Sequence, residues 1–527
     1  MARYRLSLGA LALLLTCLAP QTLCLWPIPR SLSTGSTALT LANSFDIDIK
    51  IPNAPSDLTA AVSRSKSFLR TDRLERLVVG RGSGDASAVQ HAKQISSLIL
   101  SLTPGSKVQS IADEAILQIG SRREEYSLHI PSDGSSATLT ANSTLGLLRG
   151  LTTFEQLWYD FNGQATYTLE APISISDSPA FINQLHWHIS DSQSFPLQVP
   201  GFTEVSAKGA YSSSMVYSPQ DVQDIVSYAG EEIDTPGHTA IISESHPEHV
   251  ACPQASPWAD FANEPPAGQL RFASPATTNF TAGLLAATAK LFPSSLFSTG
   301  GDELNVNCYT QDEETQQILS ETGQTLEEAL DKFTRATHGA LEQLGKTPVV
   351  WEEMVLDHNV TLSNETVAIV WISSANAAAV AAKNFRIVHG PSDYFYLDCG
   401  GGEWLGSDPE GNSWCDPFKT WQRSYTFDPL ANITESQQHL VLGGQQLLWT
   451  EQSSPENMDS IMWPRAASSA EVFWTGATLP DGSPRNVSSA LPRLHDFRFR
   501  MVQRGVNAIP LQPLWCAIRP GTCNLDS

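Results

Sequence analysis

The chain is short of basic residues and of long apolar segments. Its 527 residues contain 32 lysines and arginines against 55 aspartates and glutamates, a formal net charge of −23 at pH 7. A chain this acidic does not attract nucleic acid or an anionic membrane through its overall charge. After the first 24 residues, no apolar run reaches the roughly 18 residues needed to cross a bilayer. The sequence therefore predicts a soluble mature protein with neither nucleic acid nor membrane as partner.

The first 24 residues have a different composition. Arg3 and Arg5 precede an almost unbroken apolar stretch from Leu6 to Cys17, and Ala19 and Pro20 follow it. This pattern is typical of a secretory signal peptide and is too short for a membrane-spanning helix. We therefore expect a signal peptide over residues 1–24 and a secreted, extracellular protein.

Cysteine is scarce as well. Of eight cysteines, Cys17 and Cys24 lie in or at the edge of the signal, and the other six show no zinc-ligand spacing. An even number in a secreted chain predicts three disulfides. Fifteen pairings are open, and chain order favours Cys252–Cys308, Cys399–Cys415 and Cys516–Cys523.

Six Asn-x-Ser/Thr sequons predict a glycosylated surface. They lie at Asn142, Asn279, Asn359, Asn364, Asn432 and Asn486.

About 500 mature residues suggest two or three domains. Residues 25–73, rich in Ser, Thr and Pro, read as a linker or processed pro-segment. Strand-like runs at 77–79, 126–130 and 137–140 and a helical pattern over 145–159 predict a small α+β domain over 74–178. Residues 179–527 then form the predicted catalytic domain.

In the catalytic domain, short apolar runs alternate with amphipathic helical segments. The runs are 184–189, 296–299, 348–351, 367–372, 385–388 and 440–449. Strands alternating with helices predict parallel βα units, and so an α/β fold of the TIM (β/α)₈ type. Polar and aromatic residues follow the ends of the runs, where such a barrel has its catalytic face.

Residues 298–303 read STGGDE and come directly after one of these runs. Neighbouring strand side chains point to opposite faces, so Asp302 and Glu303 can converge on one ligand only where the pleat ends. Gly300 and Gly301 mark such a place. An isolated Gly-Gly-Asp-Glu is more often a solvated turn, but the surrounding motifs favour an acid–base site.

Five motifs occur together in one order. Residues 186–193 read HWHISDSQ, 232–238 read EIDTPGH, 300–303 read GGDE, 394–398 read YFYLD and 447–452 read LLWTEQ. From about Leu74 onwards, the chain resembles the family 20 glycoside hydrolases, the β-N-acetylhexosaminidases, and in particular their fungal secreted members. The resemblance implies hydrolysis of terminal, non-reducing β-linked GlcNAc or GalNAc from chitooligosaccharides or glycans, without metal or organic cofactor. The resemblance does not decide whether the protein forms a homodimer.

The resemblance also implies a substrate-assisted, retaining mechanism, the exception among glycosidases with two carboxylates. The sugar's own 2-acetamido carbonyl attacks the anomeric carbon. Glu303 would protonate the leaving oxygen and later activate water. Asp302 would accept the acetamido N–H and stabilise an oxazolinium intermediate, while Tyr396 would donate to the acetamido oxygen.

Further residues take binding and supporting roles by the same resemblance. Trp351, Trp371 and Trp449 would wall the sugar pocket, although core packing is a competing interpretation in a chain with 13 tryptophans. Asp398 and Glu451 would accept hydrogen bonds from sugar hydroxyls. Asp234 and His238 would form a supporting polar pair, with Asp191 as a further support, although His238 could equally make a distant structural hydrogen bond.

The chain departs from the family pattern between residues 178 and 234. The family's first barrel strand, with an Arg-Gly pair, and the helix after it have no space here, because a βα step takes roughly 30 residues. No arginine lies between Arg149 and Arg271 to clamp the sugar hydroxyls. The strand before residue 232 is also shortened, so we expect six well-formed barrel strands, a vestigial seventh and exposed sheet edges.

Two origins of these gaps stay open: a gene model that skips coding segments, which the intact flanking motifs favour, or a natural variant. Two rival functions stay open with them. One is a catalytically impaired carbohydrate-binding relative, and the other is a truncated product that does not fold.

Overall fold

The computed structural model describes residues 24–117, 120–181, 185–225, 229–398, 404–411, 415, 419–479 and 481–525. The predicted signal peptide, apart from Cys24, lies outside these residues, as does Cys399 of the predicted Cys399–Cys415 pair. The predicted pairs Cys252–Cys308 and Cys516–Cys523 are confirmed as disulfides. Within the described ranges, no helix has both the length and the apolar character needed to cross a membrane.

The N-terminal domain is a six-stranded mixed sheet with helices packed on it. Its strands are β1 (Ser31–Ile49), β2 (Lys93–Leu102), β3 (Tyr126–Ile130), β4 (Ala137–Ala141), β5 (Tyr159–Phe161) and β6 (Ala165–Asp177). They run in the order β1-β2-β4-β3-β6-β5, with β1 also paired to β6. The helices are α1 (Ser56–Thr71), α2 (Ala86–Gln90), α3 (Ile111–Ala115) and α4 (Thr144–Gln156). Inward residues such as Leu100, Leu128 and Phe154 are fully buried and form the core.

The prediction of a linker over residues 25–73 is wrong. Strand β1 pairs in parallel with β2 and antiparallel with β6, and Leu58 and Leu69 of α1 are buried in the domain core. Backbone pairing, rather than an apolar side-chain pattern, holds the Ser/Thr-rich start of β1 in the sheet. The predicted strand at 77–79 is also wrong, because these residues lie in a turn region.

The second domain is built on a parallel sheet of seven described strands. Strands β7 (Leu185–His188), β8 (Ala229–Glu232), β9 (Val250–Ala251), β10 (Gln269–Leu270), β11 (Leu296–Ser298), β12 (Thr347–Trp351), β13 (Val367–Val370), β14 (Arg386–His389), β15 (Tyr396–Asp398), β16 (Val441–Gly444) and β17 (Leu447–Leu448) follow in chain order. The sheet order is β16-β14-β13-β12-β11-β8-β7, while β9 pairs with β10 and β15 with β17. The parallel arrangement confirms the predicted α/β barrel-type fold.

Helices cover this sheet on its outer side and connect its strands. They are α5 (Thr203–Gly209), α6 (Pro219–Ile225), α7 (Pro275–Ala289), α8 (Val306–Gln311), α9 (Glu313–Thr322), α10 (Leu326–Glu342), α11 (Glu353–Leu356), α12 (Ala377–Ala382), α13 (Ser392–Phe395), α14 (Trp421–Tyr425), α15 (Met458–Met462), α16 (Arg465–Thr475), α17 (Val487–Gln503) and α18 (Leu514–Ala517).

The last long helices also bind the two domains together. Trp474 of α16 donates its indole N–H to Asp177 at the end of β6, 3.0 Å away. The buried guanidinium of Arg500 on α17 donates to the carbonyls of Glu155, Gln156 and Trp158. A charged donor shared among three buried carbonyls fixes the orientation of α4 against the barrel.

Strand β8 is more complete than the sequence indicates. It pairs with β7 on one side and β11 on the other, so it is not vestigial. It is built from residues that follow α6 almost at once. Strands β7 and β16 are the two edges of the sheet, and among the described residues no pairing joins them. The expected opening of the barrel therefore lies between β7 and β16.

Completing β8 places a carboxylate where a barrel strand normally has an apolar residue. Glu231 is 1% exposed, and neither of its carboxylate oxygens has a hydrogen-bond partner among the described residues. Burial raises the pKa of Glu231 well above its usual range, and the ammonium of Lys346 only partly opposes this. An unpaired polar group in the core costs about 1–3 kcal/mol.

We expect Glu231→Leu to stabilise the protein by about 1–3 kcal/mol at pH 7, since it removes this buried polar group. The folded-state pKa of Glu231 is above its unfolded value, so this group destabilises the fold as pH rises from the unfolded pKa to the folded one. The gain from the substitution should therefore shrink towards pH 4. Thermal melts at both pH values measure it. Glu232→Leu is the matched control and should destabilise, because Glu232 is paired with His186 and His188.

Candidate active site

Side chains from the carboxyl ends of the strands meet around a cavity of about 180 Å³. Nine of the eleven predicted site residues line it: Asp191, His238, Asp302, Glu303, Trp351, Trp371, Tyr396, Trp449 and Glu451. They come from seven different segments, which parallel strands bring to one edge of the sheet. Asp234 and Asp398 do not line the cavity.

The turn after β11 brings its two carboxylates into this cavity. Gly300, Gly301 and Glu303 all have positive φ angles, of 68°, 100° and 55°. A Cβ on Gly300 would lie 1.7 Å from Asp234 Oδ1, so no larger residue fits there. The left-handed turn ends the alternation of the strand, and Asp302 and Glu303 reach the same space.

Asp234 lies behind this turn and holds it. Its Oδ1 accepts a hydrogen bond of 2.9 Å from the Gly301 N–H, and the residue is 1% exposed. No hydrogen bond joins Asp234 to His238, since Asp234 Oδ2 and His238 Nε2 are both without a partner among the described residues. The predicted polar pair of Asp234 and His238 therefore lies close together and interacts through charge rather than through a hydrogen bond, because Asp234 Oδ1 accepts from the glycine turn.

His238 pairs with Asp191 instead. Its Nδ1 lies 2.9 Å from Asp191 Oδ1, and its Nε2 lies 3.4 Å from Glu303 Oε2 and 3.9 Å from Asp302 Oδ2. Burial would lower the pKa of His238, but the charges of Asp191 and Asp302 raise it well above its usual range. The imidazolium therefore places a positive charge between Asp191 and the two carboxylates of the turn.

A second histidine continues this chain of ion pairs away from the cavity. His188 Nε2 lies 2.9 Å from the other oxygen of Asp191, and His188 Nδ1 contacts Glu232. Burial opposes the charged form of His188, but Glu232 and Asp191 raise its pKa well above the ordinary value. No role of His188 or Glu232 is predicted from the sequence, since their pairing depends on the register of β7 with β8.

Asp302 is a buried carboxyl group in the cavity with a strongly raised pKa. It is 7% exposed, and its Oδ1 has no partner among the described residues. Burial and the neighbouring charge of Asp234 raise the pKa of Asp302 well above its usual range, while the charge of His238 opposes this rise. A buried acceptor with a free lone pair is suited to a ligand N–H or to a developing positive charge.

Aromatic rings form the wall opposite the acids. Tyr396 stacks on Trp371 with ring centroids 6.3 Å apart and planes 12° from parallel, and Trp351 meets Trp371 edge-on. Trp351, Trp371 and Tyr396 are each less than 10% exposed, and Trp449 is half-buried. These rings therefore pack against one another and also line the cavity.

Glu353 fixes one of these rings and was not predicted. Its Oε2 accepts a hydrogen bond of 2.9 Å from the Trp371 indole N–H. Burial raises the pKa of Glu353 to about 8. No sequence signal separates this acid from Glu352 beside it, because only the packing of α11 against β13 decides which one meets the indole.

The two acids predicted to bind hydroxyls lie in different places. Glu451 lines the cavity and is exposed. Asp398 lies outside its lining and accepts a hydrogen bond of 3.0 Å from the Ser453 hydroxyl. Glu264, which was also not predicted, lines the cavity with its Oε1 3.5 Å from His238 Nδ1.

The structure brings no arginine to this cavity among the described residues. Arg122 and Arg149 of the N-terminal domain line a separate cavity beside His186 and Trp351. Arg149 is engaged there with Glu124, at 2.8 Å.

Within the part of the chain that the structure describes, three sets of side chains come close enough together to hold a metal ion. They are His188 with Glu232 and Asp234, Asp191 with His238 and Glu264, and Asp234 with His238 and Asp302. All three overlap the ion pairs described above, in which imidazolium groups already balance the carboxylates.

Two family models match the chain. The model "Glycosyl hydrolase family 20, catalytic domain" matches residues 178–477, and the model "beta-acetyl hexosaminidase like" matches residues 25–157. The second match begins before β1 and includes the segment that was interpreted as a linker.

Curated relatives cover most of the chain. A beta-hexosaminidase of Arthroderma benhamiae is 34% identical over 460 residues, 76% of this chain and 74% of the relative. A chitooligosaccharidolytic beta-N-acetylglucosaminidase of Bombyx mori is 29% identical over 560 residues, 95% of this chain and 89% of the relative. Because 560 exceeds the 527 residues of the chain, this alignment requires gaps in the present sequence.

Solved structures of low sequence identity share the fold. A chitobiase of Flavobacterium johnsoniae superposes with a TM-score of 0.71 at 21% identity, covering 92% of this chain and 74% of that one. A β-N-acetylhexosaminidase of Streptomyces coelicolor A3(2) superposes with a TM-score of 0.65 at 20% identity, covering 93% of this chain and 98% of that one.

Proposed function

Because the chain belongs to glycosyl hydrolase family 20 and is an exo-acting β-N-acetylhexosaminidase, we propose that it removes terminal β-linked GlcNAc or GalNAc by a retaining, substrate-assisted mechanism. The observation that supports this mechanism best is the buried Asp302, which lines the same cavity as Glu303 and Tyr396. In this mechanism the substrate's acetamido oxygen is the nucleophile.

Glu303 acts as the general acid. Its side chain is 24% exposed, so the glycosidic oxygen of a bound sugar can reach it. As the C1–O bond breaks, its proton passes to the leaving oxygen, and the acetamido oxygen bonds to C1. Glu303 then takes a proton from the water that opens the oxazolinium ring. His238 Nε2 lies 3.4 Å from Glu303 Oε2 and holds the side chain in the cavity.

Asp302 and Tyr396 orient the acetamido group. The carboxylate of Asp302 accepts its N–H and stabilises the positive charge that develops on the ring. Burial raises the pKa of Tyr396 well above its usual range, so its hydroxyl keeps its proton and donates to the acetamido oxygen. Trp351, Trp371 and Trp449 enclose the sugar, and Glu451 accepts from its hydroxyls.

Secretion as a glycoprotein is part of this proposal. The signal-like pattern of the first 24 residues supports it. All six sequon asparagines are exposed, although the Asn142 side-chain amide is engaged with Glu125. Mass spectrometry of the secreted protein after glycosidase treatment should find higher glycan occupancy at the other five asparagines than at Asn142.

The direct test of the mechanism compares two chromogenic substrates on the secreted chain. The 4-nitrophenyl β-glycoside of GlcNAc should be hydrolysed, and the corresponding β-glucoside, which lacks the acetamido nucleophile, should react at least about 10³ times more slowly. Equal rates would exclude substrate assistance. Binding of GlcNAc without turnover of either substrate would instead identify a binding protein.

Asp234→Asn should move the pH dependence of this activity. The substitution removes the second cause of the raised pKa of Asp302, the negative charge of Asp234, and keeps an oxygen for the Gly301 N–H. Because Asp302 must be ionised to act, a lower pKa should extend activity to lower pH. Profiles of kcat/KM against pH measure the acid limb. Asp398→Asn, outside the cavity, should leave this limb in place, and an unmoved limb in Asp234→Asn would contradict the coupling.

A further inference from the structure

The small cavity that holds Asp302 and Glu303 does not end at a closed wall. A cavity of about 730 Å³ adjoins it and shares with it Asp191, Glu264, Trp404, Trp449 and Glu451. A third cavity, of about 680 Å³, shares His188, Ile189, Pro196, Tyr217 and Trp449 with the second. The larger two lie in the size range of ordinary ligand sites.

The position of the second cavity relative to the catalytic groups identifies its side of the sugar. Glu303, Asp302 and Tyr396 line the small cavity and not the second one. Under the proposed function, on which this inference rests, Glu303 lies at C1, where the leaving group departs, and Asp302 and Tyr396 lie at the C2 acetamido group. Glu451, which accepts from the sugar hydroxyls in the same proposal, lines both cavities. This shared acid assigns the second cavity to the hydroxyl-bearing, non-reducing side of the sugar.

This opening follows from the incomplete sheet. The third cavity is bounded by β7 residues 186–188 on one side and by residues 444–449, from the end of β16 through β17, on the other. These are the two sheet edges that no described strand joins. In a closed eight-stranded barrel that space is filled by a strand and its side chains, so the wall at the non-reducing end is lost with the strand.

The lining of the second cavity indicates a neutral saccharide. Tyr211, Tyr217 and Trp449 offer aromatic faces, and Gln193 and Thr450 offer polar groups. Three acids, Asp191, Glu264 and Glu451, line it beside one histidine, and the imidazolium of that His188 is paired with Asp191, so negative charge predominates. An anionic ligand is therefore repelled, while a sugar ring can stack on the aromatics and donate its hydroxyls to the carboxylates.

We propose that the second cavity binds a second β-linked GlcNAc on the non-reducing side of the reacting sugar, so that the chain also releases disaccharides from chitooligosaccharides. The bonds change as in the proposed mechanism. The acetamido oxygen of the second sugar from the end bonds to its own C1, the C1–O bond to the third unit breaks, and that oxygen takes the proton of Glu303. Water opens the oxazolinium ring and chitobiose leaves.

The test uses 4-nitrophenyl β-N,N′-diacetylchitobioside and the full secreted chain. We expect nitrophenol to appear without a lag, with chitobiose as its co-product by mass spectrometry at early times. An enzyme limited to the terminal sugar must release GlcNAc first and nitrophenol only after a lag. That order of products would overturn the proposal, while turnover of the GlcNAc glycoside would show that the proposed function still stands.

Ser214→Trp should separate the two activities. Ser214 is exposed and lines the second cavity but not the small one, so an indole there should lower chitobiose release at least 10-fold and change turnover of the GlcNAc glycoside less than 2-fold. Ser213→Trp, an exposed neighbour outside the lining, is the matched control and should change neither. The same loss in both variants would overturn the proposal.

If turnover is too slow to measure, a binding measurement tests the second sugar site. Titration of Glu303→Gln with chitotriose, followed by calorimetry, should show affinity at least 10-fold weaker when Ser214→Trp is added, and unchanged when Ser213→Trp is added. Equal affinities in all three proteins would overturn the second sugar site independently of any catalytic result.

Discussion

Glu303→Gln should lower kcat/KM by about 10² to 10⁴ for substrates whose leaving group is another sugar, and much less for nitrophenyl glycosides. A sugar alkoxide needs a proton as it leaves, whereas nitrophenolate does not. The left-handed turn and the contact with His238 bring this carboxyl, 24% exposed, into the cavity beside the buried Asp302. Kinetics on chitobiose and on the nitrophenyl glycoside of GlcNAc measure the two losses.

Glu264→Gln is the matched control for this prediction. Glu264 lines the same cavity and lies near the same histidine, but it has no place in the acid motif. The loss of kcat/KM in Glu264→Gln should be similar for both leaving groups. Equal losses for both leaving groups in Glu303→Gln would remove Glu303 from the role of general acid.

Asp302→Asn should reduce turnover of GlcNAc glycosides by about 10²-fold, which corresponds to ~3 kcal/mol of lost transition-state stabilisation. The amide keeps the shape of the carboxylate but removes the negative charge beside the developing oxazolinium ion. The nearby carboxylate of Asp234 can accept from the new amide, which would hold the substituted side chain in place without restoring the charge. The loss should appear in kcat more than in KM.

The substrate supplies the control for Asp302→Asn. A β-glucoside has no acetamido group, so its slow hydrolysis should change little when Asp302 is substituted. A similar fold-loss for the glucoside and the GlcNAc glycoside would show that Asp302 acts on the ring charge or the fold in general rather than on the acetamido group.

The N-terminal segment shows where sequence patterns fail. Helix α4 and strands β3 and β4 have regular apolar spacing and were predicted close to their observed bounds. Strand β1 was missed because most of its first half is exposed Ser and Thr. Its place is decided by backbone hydrogen bonds to β2 and β6, and those partners lie far away in the chain.

The ion pairs around the site show a second kind of failure. The motifs identified the residues that a sugar would touch, and nine of the eleven line one cavity. The motifs did not identify which side chain each buried acid contacts. Glu232, Glu264 and Glu353 meet histidines or an indole only through strand register and helix packing, and Asp234 holds a glycine N–H rather than His238.

The sequence by itself determined the α/β class, the order of the catalytic motifs and the point at which a barrel strand is lacking, because each depends on residue type and spacing along the chain. Only the tertiary structure decided what that lack produces. In the folded protein, β8 forms with Glu231 buried, and no pairing among the described residues joins β7 to β16. A cavity lies beside the sugar pocket. Burial and the distance between remote edges arise when segments pack together, and no local pattern of residues records them.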